Sequence, residues 1–204
     1  MGVGPTSGTL GPVSSIAGLW RRAAEPVAAH EIARGRLGDD GYARTRGVAQ
    51  QAARLARMTH LPRDRRALLL SAAWLHDIGA ENGPRVAARS LRAAGHERLS
   101  RIVAHRGGAA LTASLRGETP LATEFPPPAG ADLGLLMLLD VALVTTSLSG
   151  APASPAALLR EMTRACPPGD PVIRALVAVV SRLGADEAAR ALVEHLSPRA
   201  VRGG

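Results

Sequence analysis

Apolar residues recur at helical spacing through almost the whole 204-residue chain, interrupted by glycine and proline, and no stretch alternates apolar with polar residues as a half-buried strand does. That pattern commits the chain to helices. The side chains available for a core narrow the architecture further: 46% of residues are hydrophobic but only 2% are aromatic, namely Trp20, Tyr42, Trp74 and Phe125. The core must therefore be aliphatic, and at this length one domain is the expectation. The sequence reads as all-α, a single helical bundle over residues 14–200. A tail over residues 1–13, rich in Gly, Pro, Ser and Thr and without periodicity, precedes it.

All 25 basic residues are arginine, against 17 acidic ones, for a net charge of +8. Such a balance is the footprint of phosphate contact in nucleic-acid binders. Here the arginines are scattered, with no run longer than Arg21-Arg22 or Arg65-Arg66, and the absence of lysine beside abundant Ala, Gly and Pro reads as a GC-rich coding bias. Four aromatics also leave little for bases to stack on, so nucleic acid is argued against as a partner. Cys166 stands alone, which excludes an internal disulfide and a Cys-rich zinc site. Arg21-Arg22 leads into Ala-Ala-Glu-Pro rather than an apolar run, and the most apolar segment, Leu133 to Leu148, is short and carries Asp140. A cytoplasmic location without a membrane partner is expected, with Leu133–Leu148 as a core helix.

Local signals place the helices. Ser154-Pro155 and Asp170-Pro171 each supply an N-cap and a first-turn proline, and Gly184 supplies a stop after Val172, Leu176, Val179 and Val180. Val48, Ala52, Leu55 and Ala56 form one stripe and Leu68, Leu69, Ala72, Leu75 and His76 the next; the short link His60-Leu61-Pro62 predicts a helical hairpin. Shorter helices are expected from Gly83-Pro84 to Gly95 and from His96 to Arg106. Phe125-Pro126-Pro127-Pro128 marks Gly107 to Gly130 as a loop.

The tetrapeptide His76-Asp77-Ile78-Gly79 closes the second helix of the hairpin. An imidazole and a carboxylate in a last helical turn are both free to converge on one metal ion, and the glycine lets the backbone bend away. The runs Arg44 to Ala56, Leu68 to Gly79 and Ile102-Val103-Ala104-His105-Arg106 together resemble the HD-domain superfamily of metal-dependent phosphohydrolases, over about residues 42–183. The resemblance implies an all-α fold. It also implies one or two divalent metals, held by a His, the His-Asp pair and a later Asp, that activate water against a phosphate ester.

Residue by residue, His76 and Asp77 match the pair, with Asp77 the catalytic candidate, and His105 matches a further histidine of some members. The first histidine's slot holds Arg44, a histidine often following His105 is replaced by Arg106, and the last aspartate's slot falls on Leu143. Asp140, three residues earlier, replaces that ligand only if the helix shifts by a turn. Arginine offers only donors and repels a cation. An Arg44 aimed at the site would pair with Asp77; the alternative is an Arg44 pointing to solvent.

Two principal readings follow. In one, the metal site is degenerate and catalysis reduced or lost. Arg44, Arg46 and Arg106 then bind a nucleotide or other phosphate-bearing small molecule, or the chain meets a protein partner. In the other, His76, Asp77, His105 and Asp140 hold one divalent metal (Mn, Fe, Mg, Zn or Ni) in an active hydrolase. His30, His60, His96 and His195 read as solvated or capping, Asp39-Asp40 as a helix lead-in, Cys166 as an inert thiol and Trp74 as core filling.

Overall fold

The computed structural model describes residues 15–79 and 84–184. The expected tail over residues 1–13, the end of the expected domain beyond residue 184, and His195 lie outside them. Among the described residues the fold is all-α, and the sole pairing of extended backbone is an isolated bridge between Thr146 and Pro152. The helices are α1 (Ile16–Arg21), α2 (Pro26–Arg36), α3 (Asp39–Met58), α4 (Arg63–Leu75), α5 (Pro84–Ala93) and α6 (Glu97–His105). After a 3-10 turn at Arg106–Gly108 come α7 (Ala109–Leu115), α8 (Leu121–Glu124), α9 (Ala131–Val144), α10 (Pro155–Ala165) and α11 (Pro171–Arg182). No helix among them is long and apolar enough to cross a membrane.

The end signals act as their chemistry dictates. Ser15, Ser154 and Asp170 cap α1, α10 and α11, their side-chain oxygens accepting from Gly18, Ala157 and Val172 N–H groups at 3.2, 3.2 and 2.7 Å. The α3–α4 hairpin turns at His60, which takes a left-handed φ of 51° while Leu61 N–H reaches back 3.0 Å to the Ala56 carbonyl. The stretch from Gly107 to Gly130 is not one loop. It carries α7 and α8, because Ala109 and Ala113 on α7, with Leu121 on α8, find apolar partners in Ala88, Ala104 and Phe125. Phe125 begins the Pro run and is fully buried, with the Arg92 guanidinium 4.5 Å above its ring. The helix expected from Leu133 to Leu148 ends at Val144, and Leu133 and Met137 face outward.

Three apolar clusters organise the chain. The largest joins α2, α3, α4, α5, α6 and α9; the second packs the end of α9 with α10 and α11; the third sits under α7 and α8. Alanines at zero exposure, such as Ala29, Ala33, Ala52, Ala72 and Ala73, let the first group of helices approach closely. His30 is not solvated: its Nε2 lies 2.7 Å from the Tyr42 hydroxyl, and its ring sits 4.6 Å from that of Trp74. Trp74 itself packs against the largest cluster.

The start of α3 is fixed by backbone rather than by side chains. A Cβ on Gly47 would stand 2.1 Å from the Gly150 carbonyl oxygen, and one on Gly150, at φ 87°, would stand 2.3 Å from the Ala43 carbonyl oxygen. Gly47→Ala is therefore expected to cost roughly 3 kcal/mol or more. Gly134→Ala in α9, where a Cβ meets nothing within 4 Å, is expected to gain about 0.5–1 kcal/mol by helix propensity. Urea unfolding of both variants beside the parent protein checks the pair.

Candidate functional site

The last turn of α4 ends at Leu75, and His76 and Asp77 follow as the chain bends toward Gly79, whose φ of 77° a side chain would strain. His76 is 2% exposed, and its Nδ1 lies 2.8 Å from the Ala73 carbonyl. A carbonyl only accepts, so Nδ1 carries the proton and Nε2 is a bare acceptor in the neutral ring. Burial pushes the imidazole down to about 4, against the opposing pull of Asp77, so the ring is neutral at physiological pH. Its Nε2 is buried without a hydrogen-bond partner among the described residues.

Arg106, at the start of the 3-10 turn, closes over this helix end. Its Nε–H donates to the His76 carbonyl, and its Nη2 lies 3.6 Å from Asp77 Oδ1. A cation at the C-terminus of α4 also sits where the helix dipole favours it. Burial pulls the Arg106 guanidinium down from its ordinary value while Asp77 supports it. Burial would raise the Asp77 carboxyl, but His76, Arg106 and Arg44 together outweigh it and hold it below the usual range. The ion partner of Asp77 is thus Arg106, not Arg44. Arg44 nevertheless turns inward, and its Nε is buried without a partner among the described residues.

Arg44, His76, Asp77 and Arg106 line one cavity of about 430 Å³, within the range of small-molecule sites. Leu143, in the slot where the resemblance places an aspartate, is part of its wall, with Met162 of α10 and Val172 and Leu176 of α11. Arg85, Thr112, Arg116 and Glu118 also line it; nothing in the local sequence marked them, since α5, α7 and the chain after α7 reach the cavity only through the packing of the third cluster. Arg46 is exposed.

Two sequence candidates are occupied elsewhere. His105 Nε2 donates to the Phe125 carbonyl at 2.8 Å, so that nitrogen is protonated and turned toward the Pro-rich segment. Asp140 is fully buried, accepting the Gly107 N–H at 2.7 Å and an Arg182 N–H at 2.6 Å. Neither residue lines the cavity. Among the described residues no group of three or more His, Cys, Asp and Glu is placed to hold a metal ion. A divalent ion here would meet two donors, His76 Nε2 and Asp77, beside two guanidinium groups. That set does not fit it.

No family model, curated protein or solved structure matches the chain. The site is therefore interpreted from its own chemistry.

Burial raises Asp140 from 3.8 to about 6, outweighing the Gly107 N–H and the charges of Arg182 and Arg106. Because the folded state holds this proton more tightly than the unfolded chain does, the contribution of Asp140 to stability falls as pH rises through this interval. Asp140→Asn keeps an acceptor for Gly107 and removes the titration. The stability of the parent protein minus that of the variant is expected to drop by roughly 2 kcal/mol between pH 4 and pH 6.5, read by urea unfolding at each pH.

Proposed function

We propose that this protein binds a phosphate-bearing small molecule without a metal, on an HD-like helical frame in which arginines stand where metal ligands would. The observation that carries this reading is a mismatched pair of buried atoms in one cavity. Among the described residues Arg44 Nε is a donor without an acceptor, and His76 Nε2 is an acceptor without a donor. Buried polar groups are normally satisfied, and each unsatisfied one costs about 1–3 kcal/mol. A monoprotonated phosphate answers both: its oxygens accept from Arg44 and Arg106, and its P–OH donates to His76 Nε2. A metal ion answers only the histidine and is repelled by both guanidinium groups.

Asp77 in this reading is a positioning residue rather than a ligand, since it anchors Arg106 across the end of α4. Hydrolysis is not part of the reading, because it leaves no group in the role of a water-activating metal.

Isothermal titration with inorganic phosphate and methyl phosphate tests the reading. Arg44→Gln and Arg106→Gln are each expected to weaken binding roughly tenfold or more, as loss of a charge-assisted hydrogen bond does, with no change on adding EDTA. Asp77→Asn keeps an amide oxygen to position Arg106 but removes the carboxylate charge beside the anion, and is expected to tighten binding several-fold; a metal ligand changed in the same way would abolish function instead. Stoichiometric bound metal that disappears in a His76→Ala, Asp77→Ala variant, together with metal-dependent turnover of a phosphate ester, would overturn the proposal.

A further inference from the structure

We infer that the ligand of this cavity carries an aliphatic chain on its anionic head, an alkyl or acyl phosphate rather than a nucleotide; the inference rests on the anion-binding reading above. Beyond Arg44, His76, Asp77 and Arg106, the wall is built from Leu121, Leu143, Met162, Val172 and Leu176, with Ala109 and Ala113 between them. These come from the α8, α9, α10, α11 and α7 segments, so the apolar surface wraps the cavity from several sides. No Phe, Tyr or Trp among the described residues lines it, so a nucleobase would lack the large rings on which bases stack.

Polar groups able to read a base are equally scarce. Apart from His76, Thr112 is the one neutral polar side chain among the described lining residues, and its hydroxyl is directed 3.5 Å toward the Gly108 carbonyl. The remaining charges are paired with each other: Arg85 lies 3.8 Å and Arg116 3.9 Å from Glu118, and Arg85 also reaches Glu124 at 3.3 Å. Base edges and ribose hydroxyls would exchange water for methyl and methylene groups, a loss that an alkyl chain turns into a gain.

Titration of the full chain with inorganic, methyl, butyl and hexyl phosphate, and with adenosine monophosphate, separates the possibilities. Each added methylene is expected to tighten binding about fourfold, the gain for burying one such group, while adenosine monophosphate binds no tighter than methyl phosphate. Met162→Gln and Val172→Thr are expected to shrink the chain-length gain. An affinity flat in chain length, an unchanged gain in both variants, or adenosine monophosphate binding tighter than hexyl phosphate overturns the aliphatic assignment while anion binding itself stands. Absence of phosphate binding to the parent chain, or phosphate binding insensitive to Arg44→Gln, overturns the anion reading beneath it.

Discussion

A single buried carboxylate, that of Asp140, ties together the parts from which the cavity is made. It stands on α9, takes the N–H of Gly107 in the 3-10 turn, and draws in Arg182 from the end of α11. Gly107 and Gly108 both lie at positive φ, a conformation that most residues resist, and an acceptor at that point holds the turn. The turn in turn delivers Arg106 onto the end of α4, and α11 delivers Val172 and Leu176 to the wall. Keeping a charge at zero exposure costs free energy, which its raised protonation equilibrium reports. The fold accepts that cost where three elements must meet in one register.

The cavity lies at the junction of the three apolar clusters. Leu143 belongs to the first, Met162 and Leu176 to the second, and Ala109, Ala113 and Leu121 to the third. A core built from alanine and branched aliphatics packs helix against helix closely. Large aromatic side chains that would fill the gap at such a junction are nearly absent from the chain, and the one fully buried example, Phe125, is used under α5.

Much of the helical plan was legible because it is locally determined. Ser154-Pro155, Asp170-Pro171 and the stripes of α3 and α4 encode their ends and faces within a few residues. The place of the His76-Asp77 pair at the end of α4 was legible for the same reason. What spacing does not encode is which partner a side chain finds across the fold. His105 lies on α6 as expected, yet its ring serves the Phe125 carbonyl twenty residues on. Arg106, rather than Arg44, reaches Asp77, because the glycine turn after α6 sets its direction and the hydrophobic pattern does not record that turn. The walls from α10 and α11 were illegible as well, since their apolar faces read as core and only the packing opens part of them to a cavity.

The cationic end of the cavity has a property that follows from its membership. Arginine keeps its proton throughout the ordinary pH range, His76 stays neutral until about pH 4, and Asp77 is held ionised below the usual carboxylate range. No group there changes charge under cellular conditions. This end of the pocket therefore keeps one charge state above about pH 4, and an acidity dependence of its occupancy near pH 6 would report the ionisation either of the guest or of Asp140 behind the glycine turn.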